Sequence, residues 1–195
     1  MTAITRIGIQ GGRGSFNEEA AARHLPQLLQ GTQYTLEYLH TSAAVFGALN
    51  SGSVEYGQFA LSNSVAGPYE ESVNALCAHV VRLIGLYSIP IRHAVMGVRG
   101  SSLATISRLL SHQQALKQCA RKLAQHMPRA QQEVGTGPLT DPASVAAAMA
   151  AGHLPPTVAT VSNPALAELH DLTILLADAQ DDDNNRSWFA LVSLR

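Results

Sequence analysis

Hydroxyl, indole and guanidinium groups lie side by side in Arg186-Ser187-Trp188-Phe189, at the start of the last apolar segment of the chain. The acidic run Asp181-Asp182-Asp183 precedes them, and apolar residues 190–194 follow. A serine hydroxyl and an indole N–H are neutral donors, whereas a guanidinium is a charged one, so these groups could hold an anionic or hydroxylated ligand. Three adjacent carboxylates repel one another, so the acidic run by itself is interpreted as a solvated loop.

A glycine-rich turn near the N-terminus could also approach a ligand. Gly11-Gly12-Arg13-Gly14 follows an apolar segment and leads into Ser15-Phe16-Asn17-Glu18, which fits a helix capping box. Glycine lets a backbone come close to a ligand, and the N–H groups of a helix start favour an anion. Gly14 and Ser15 are therefore candidate binding residues, although the glycines alone favour an ordinary turn between a strand and a helix.

Polar residues mark three further loops. Asn63 and Ser64 lie in the polar segment 62–68, where they could orient a ligand or simply bond their own turn. Ser111 is predicted to cap a helix, with His112 and Gln114 close to its start, and Ser144 is predicted to begin another helix. A lone histidine is more often structural than catalytic. None of the eight histidines forms a tight metal-binding pattern, so we expect neither a metal nor another cofactor.

Composition narrows the class of protein. The chain has 195 residues, is 46% hydrophobic and 14% charged, and carries a net charge of −1. No basic stripe is present, so nucleic acid is not an expected partner. Cys77 and Cys119 show no metal-ligand spacing and are expected to be free and reduced. We expect a cytoplasmic protein without signal peptide or membrane span, because no apolar run approaches the ~20 residues that a span requires.

Short apolar segments alternate with alanine-rich helical patterns, which predicts an α/β fold with mainly parallel sheets. Two lobes are expected, approximately 1–88 with 178–195, and 89–177. Ligands of such sheets bind beyond the carboxyl ends of the strands. The predicted strands cover 4–9, 34–39, 55–61, 80–86, 91–98, 157–161, 172–177 and the C-terminal segment, and the predicted helices cover 15–22, 41–49, 70–79, 113–126, 144–151 and 165–169.

Together these segments resemble the prephenate dehydratase family over nearly the whole chain. The family's Gly-x-x-Gly-Thr/Ser-Phe/Tyr segment corresponds to 11–16, its Glu-Asn-Ser/Thr loop to 62–64, and its Ser-His-Pro-Gln segment to 111–114. The resemblance implies a fold like a type 2 periplasmic-binding protein, prephenate as the small-molecule substrate and a possible homo-oligomer. Because the chain stops directly after the final strand, we expect no regulatory ACT domain.

Two departures from the family pattern bear on the chemistry. The glutamate of the Glu-Asn-Ser/Thr loop is Ser62, and the family's Thr-Arg-Phe triplet is Ser187-Trp188-Phe189. The dehydratase expels carbon dioxide and hydroxide together, and hydroxide needs a proton or strong hydrogen bonds to leave. Tryptophan offers one neutral N–H where arginine offers five donors and a charge. Arg186 could share the face of Trp188 if the strand begins that early.

The resemblance therefore predicts a non-aromatising prephenate decarboxylase, similar to the relatives that make dihydro-4-hydroxyphenylpyruvate in secondary-metabolite and antibiotic pathways. Ser187 and Trp188 are the expected catalytic residues. Two alternatives stay open, a divergent prephenate dehydratase and a non-catalytic carboxylate-binding protein, and Trp188 could simply be a core residue. The expected substrate-binding residues are Gly14, Ser15, Asn63, Ser64, Ser111, His112, Gln114, Ser144, Arg186 and Phe189.

Overall fold

A computed structural model describes residues 4–194 as an α/β fold with two sheets. The strands are β1 (Thr5–Ile9), β2 (Tyr34–Tyr38), β3 (Tyr56–Asn63), β4 (Gly67–Pro68), β5 (Val81–Pro90), β6 (Ala94–Gly97), β7 (Arg108–Ser111), β8 (Gln131–Val134), β9 (Val158–Ser162), β10 (Thr173–Leu176) and β11 (Arg186–Leu194). The α-helices are α1 (Phe16–Leu28), α2 (Ser42–Asn50), α3 (Glu70–Cys77), α4 (Gln113–Gln118), α5 (Ala120–His126), α6 (Pro142–Ala150) and α7 (Ala165–Leu169).

The first compact unit comprises the chain up to Gly12, Phe16–Ile89, and the chain from Arg186 onward. Its sheet has the order β2-β1-β3-β11-β5, with β4 beside β3. β1 runs parallel to β2 and β3, whereas β11 runs antiparallel to β3. Phe46 of α2 packs with Phe59 and Val192 in one buried cluster, so α2 covers β3 and β11 on one face.

The second compact unit comprises Arg13–Ser15 and Pro90–Asn185, and its sheet has the order β10-β6-β9-β7-β8. β7 is parallel to β8 and β9, but β6 is antiparallel to both β9 and β10. The α/β class is confirmed, while the expectation of mainly parallel sheets is wrong. The alternation of strand and helix patterns does not show whether a strand pairs parallel or antiparallel with a strand that is distant in the sequence.

Local patterns missed three strands, β4, β7 and β8, and one helix break. β4 has only two residues. β7 and β8 have four residues each, too few to show a periodicity. The predicted helix 113–126 is divided at Cys119 into α4 and α5. Asp181 caps the second part, since its carboxylate accepts the backbone N–H groups of Arg121 and Lys122 at 2.8 and 2.9 Å. This carboxylate lies 60 residues away from Arg121, beyond the reach of any local pattern.

Residues 178–185 group with the second unit, whereas the sequence assigned them to the first lobe. The backbone N–H of Ala179 donates to the His93 carbonyl at 2.7 Å, and the His93 N–H donates to Gln180 Oε1 at 2.8 Å. The buried Asn185 amide donates to Gln118 Oε1 at 2.7 Å, and His93 Nε2 lies 3.0 Å from the same oxygen. Buried polar groups must find partners, and these partners lie in the second unit.

We expect Gly57→Ala to lower the free energy of unfolding by about 1–3 kcal/mol, because a packed core must shift to admit the methyl group. A Cβ at this position would lie 2.6 Å from Val45 Cγ1 and 2.8 Å from Leu49 Cδ1 of α2. Gly47→Ala, on α2 itself, is the matched control, since its Cβ would meet no described neighbour within 4 Å. There alanine should stabilise the helix by roughly 0.5–1 kcal/mol. Urea unfolding measures both, and equal losses would contradict the packing argument.

Stability should fall in mild acid because of His93. Burial lowers the pKa of this histidine from 6.5 to about 4. As the pH falls from 6.5 towards 4, the unfolded chain binds a proton at this residue and the folded chain does not, so the free energy of unfolding drops by about 3 kcal/mol at most. His93→Gln should remove this part of the pH dependence. Urea titrations between pH 7 and pH 4.5 measure it, and identical slopes for the two proteins would refute the prediction.

Candidate active site

The buried side chain of Asn63 joins the end of β3 to the start of β11. Its Oδ1 accepts the backbone N–H groups of Val65 and Ala66, each at 2.9 Å. Its Nδ2 donates to the Arg186 carbonyl at 2.9 Å and to Ser187 Oγ at 3.0 Å. The amide therefore shapes the turn after β3 and holds the first residues of β11 beside it.

Ser64 and Arg186 reinforce the same junction. The Ser64 N–H donates to the Arg186 carbonyl at 2.9 Å, and the Arg186 N–H donates to Ser64 Oγ at 3.0 Å. The exposed guanidinium of Arg186 donates to Ser88 Oγ at 3.0 Å and to the Ser88 carbonyl at 3.3 Å. The structure thus brings together Asn63, Ser64, Arg186 and Ser187, four residues that the sequence singled out.

The side chains of Ser187 and Trp188 project from opposite faces of β11, because successive side chains of a strand alternate. Ser187 is 1% exposed and lies on the same face as the buried Phe189. Trp188 is half-buried and lies on the face of Ala190 and Val192, which pack beside α2. Ser187 and Trp188 therefore do not point to the same side of the sheet, and the expected catalytic role of the pair stays a prediction. β11 does begin at Arg186, so Arg186 shares the Trp188 face.

A β-bulge lies directly beside this pair. Trp188 pairs with Ser62 and Phe189 with Ala60, so Leu61 is an extra residue on β3. Bulges bend a strand and re-aim the side chains next to it. Gln10, at the end of β1, supports the bulged segment, since its Oε1 accepts the Ala60 N–H at 3.0 Å. Sequence reasoning missed Gln10, although a polar residue between a buried strand and two glycines was a visible signal.

Gly14 has a structural reason to be glycine. Its φ is +79°, a left-handed conformation, and a Cβ there would lie 2.6 Å from Leu166 Cδ2. A side chain at this position would be strained whether or not a ligand is present. Ser15 follows in the chain and directly precedes α1. The capping box and a ligand role for both residues stay predictions.

Ser111 does not cap a helix, contrary to the sequence prediction. It is the last residue of β7, and its buried hydroxyl donates to the Val161 carbonyl at 2.7 Å. The cap of α4 is His112, whose Nδ1 accepts the Gln114 N–H at 3.2 Å. A neutral imidazole with an acceptor at Nδ1 carries its proton on Nε2, so His112 offers one ring N–H donor. Gln114 is buried on α4.

Ser144 does not begin its helix either. α6 begins at Pro142, and Asp141 caps it by accepting the N–H groups of Ala143 at 2.9 Å and Ser144 at 3.2 Å. The Ser144 hydroxyl donates to the other oxygen of Asp141 at 2.7 Å. A carboxylate of the chain thus occupies the position that an anionic ligand would take. Proline at the first helical position, directly after aspartate, was a readable signal for this start.

Metal and thiol chemistry find no support among the residues that the structure describes. Among residues 4–194, no group of three or more His, Cys, Asp and Glu side chains could hold a metal ion. Both cysteines are free, with Cys77 exposed and Cys119 buried. Burial raises the pKa of the Cys119 thiol, which disfavours the nucleophilic thiolate. Within the same residues, the helices are too short or too polar to cross a bilayer.

Known proteins similar in sequence are dehydratases. Arogenate dehydratase 5, chloroplastic, of Arabidopsis thaliana is 28% identical over 190 residues, covering 96% of this chain and 42% of the relative. Arogenate dehydratase 2 of Petunia hybrida is 28% identical over 188 residues, covering 96% of this chain and 44% of the relative. The chain therefore spans less than half the length of these curated relatives.

Solved structures confirm the fold. A prephenate dehydratase from Arthrobacter aurescens in complex with L-Phe superposes with a TM-score of 0.78 at 22% identity, covering 98% of this chain and 61% of that one. A structure described as a novel type of quorum quenching acylase gives 0.70 at 23% identity, covering 97% and 64%. The periplasmic VFT2 domain of Bordetella pertussis BvgS gives 0.51 at 14% identity, covering 97% and 80%. The predicted likeness to periplasmic-binding proteins is therefore confirmed.

The family model described as prephenate dehydratase matches residues 7–195. This match includes both sheets and every segment from the glycine turn to the Ser187-Trp188-Phe189 triplet. The chain belongs to the prephenate dehydratase family.

Proposed function

We propose that the protein is a prephenate decarboxylase, a lyase that removes carbon dioxide from prephenate and leaves the ring hydroxyl in place. The observation that carries the proposal is the start of β11. Position 188, which is arginine in the family triplet, holds a half-buried neutral tryptophan. The neighbouring guanidinium of Arg186 is bonded to Ser88 instead.

The two reactions of prephenate break the same carbon–carbon bond and differ in where its electron pair goes. Loss of carbon dioxide leaves an electron pair that enters the ring diene. If hydroxide leaves, the ring becomes aromatic and the product is phenylpyruvate. If a ring carbon takes a proton instead, the hydroxyl stays and the product is dihydro-4-hydroxyphenylpyruvate. Hydroxide needs a proton or charged donors in order to leave, and the Ser187 hydroxyl is neutral and weakly acidic.

Several residues are proposed to bind the substrate. In the first unit, Ser187 is the residue whose hydroxyl would meet a ring or carboxylate oxygen, and Asn63, Ser64, Arg186 and Phe189 hold or border it. In the second unit, His112 is a candidate at the start of α4, where its side chain also caps the helix. The hydroxyls of Ser111 and Ser144 already donate to acceptors of the chain itself.

A divergent dehydratase is the second candidate, and one observation favours it. Ser187 keeps the hydroxyl of the family triplet, and it is held in place by Asn63. The curated relatives are named arogenate or prephenate dehydratases. Arogenate carries an amino group where prephenate has the keto group of its side chain, so it is a second substrate to test. The product of the proposed decarboxylase would enter secondary metabolism rather than the synthesis of phenylalanine.

Incubation of the purified protein with prephenate distinguishes the candidates. We expect a product with the composition of phenylpyruvate plus one water and without aromatic absorbance. Liquid chromatography with mass spectrometry measures it, and a sample without protein controls for spontaneous conversion. Phenylpyruvate as the main product would establish the dehydratase instead. Unchanged prephenate and unchanged arogenate would leave a non-catalytic carboxylate-binding protein.

The double substitution Ser187→Thr with Trp188→Arg should shift the product towards phenylpyruvate by about tenfold or more, because it restores the hydroxyl and the positive charge of the family triplet, and nearby positive charge stabilises a leaving oxyanion. The matched control is Trp188→Phe, which removes the indole N–H, adds no donor and should yield no additional phenylpyruvate. Thermal unfolding checks that both variants are folded. A folded double variant that forms no phenylpyruvate would show that this strand alone does not set the outcome.

A further inference from the structure

The hydrogen bond between Asn63 and Ser187 has a defined direction. Asn63 Oδ1 faces two backbone N–H groups, those of Val65 and Ala66. The other atom of the amide faces the Arg186 carbonyl, which can only accept. These three contacts require oxygen on one side and nitrogen on the other, so the amide cannot be flipped. Asn63 Nδ2 is therefore the donor to Ser187 Oγ at 3.0 Å, and Ser187 is the acceptor.

This direction determines where the Ser187 proton can point. A hydroxyl has one proton, and Asn63 presents only N–H groups to it. The Ser187 O–H must consequently point away from Asn63. Among residues 4–194 the structure gives the Ser187 hydroxyl no acceptor, although its residue is only 1% exposed. A buried hydroxyl whose proton has no acceptor in the protein can donate it to an oxygen of a ligand and so select for that ligand.

We propose that Asn63 is a positioning residue, which makes the Ser187 hydroxyl a donor aimed at an oxygen of the substrate. The inference rests on the proposed function, since it takes a prephenate-type substrate as the ligand. Asn63 acts through Ser187 and has no need to contact the substrate itself. This differs from the sequence expectation, in which Asn63 itself binds the substrate.

Asn63 also has a structural role, and the test must separate the two. Its bonds to Val65, Ala66 and the Arg186 carbonyl stabilise the turn and the start of β11 whatever residue occupies position 187. Loss of these bonds would change stability by the same amount with or without the Ser187 hydroxyl. Loss of the positioning role, by contrast, would matter only when that hydroxyl is present. A double-mutant cycle measures this difference.

The cycle combines Asn63→Asp with Ser187→Ala. The new carboxylate keeps an acceptor for the Val65 and Ala66 N–H groups, but its second oxygen would accept the Ser187 proton and turn it away from the substrate. We expect Asn63→Asp to lower kcat about tenfold or more, similarly to Ser187→Ala, and the double variant to be within about twofold of Ser187→Ala. Urea unfolding of all four proteins checks that each variant is folded under the conditions of the assay, so that the kcat values can be compared.

Each outcome of the cycle has one meaning. Losses in kcat that multiply in the double variant would overturn the positioning role, as would an Asn63→Asp protein with wild-type kcat. A wild-type protein that converts neither prephenate nor arogenate would overturn the proposed function, and this inference with it. If Asn63→Asp does not fold, Asn63→Ser replaces it, because the shorter hydroxyl keeps an acceptor for the turn and lacks the amide donor. The same non-additivity in kcat is then expected.

Discussion

The buried side-chain amide of Asn63, at the end of β3, needs hydrogen-bond partners for both its oxygen and its nitrogen. Leaving such a group without partners costs about 1–3 kcal/mol, so its surroundings are organised to supply them. The supplied partners are the two N–H groups of the following turn, the Arg186 carbonyl and the Ser187 hydroxyl. The direction of each bond follows from the chemistry of the amide. Asn63, together with the Ser64–Arg186 hydrogen bonds, holds the turn against the start of β11, and its Nδ2 sets the direction of the bond to Ser187.

In the second unit, two helix N-termini that resemble anion-binding sites already donate to carboxylates of the chain itself. The first N–H groups of every helix lack partners inside it, and an anion is one way to satisfy them. Here the chain supplies its own carboxylates, Asp141 for α6 and Asp181 for α5. Serines that suggested substrate contacts, such as Ser144, complete these internal arrangements. A hydroxyl near a helix start therefore predicts polar bonding, but not whether the partner is a ligand or the protein.

Family membership and reaction outcome are separate questions for this protein. The family match covers both sheets, whereas the step that divides decarboxylation from dehydration depends on donors at one ring oxygen. Position 188 holds an indole with one neutral N–H, where the family triplet has a guanidinium with five donors and a positive charge. The alternation of β11 adds a constraint, because Trp188 and Ser187 address different faces. Any influence of residue 188 on the chemistry must therefore be exerted from the face opposite to Ser187.

The sequence by itself determined the α/β class, the family and the change at position 188, because these depend on local patterns and on residue identity. It also located several elements, such as α2 and β1, to within one or two residues. Only the tertiary structure decided the antiparallel entry of β11, the helix break at Cys119, the placement of residues 178–185 and the direction of the Asn63–Ser187 bond. The physical reason is distance along the chain. Two partners of Asn63, the Arg186 carbonyl and the Ser187 hydroxyl, lie 123 and 124 residues away, and no local pattern records which distant group will satisfy a buried donor or acceptor.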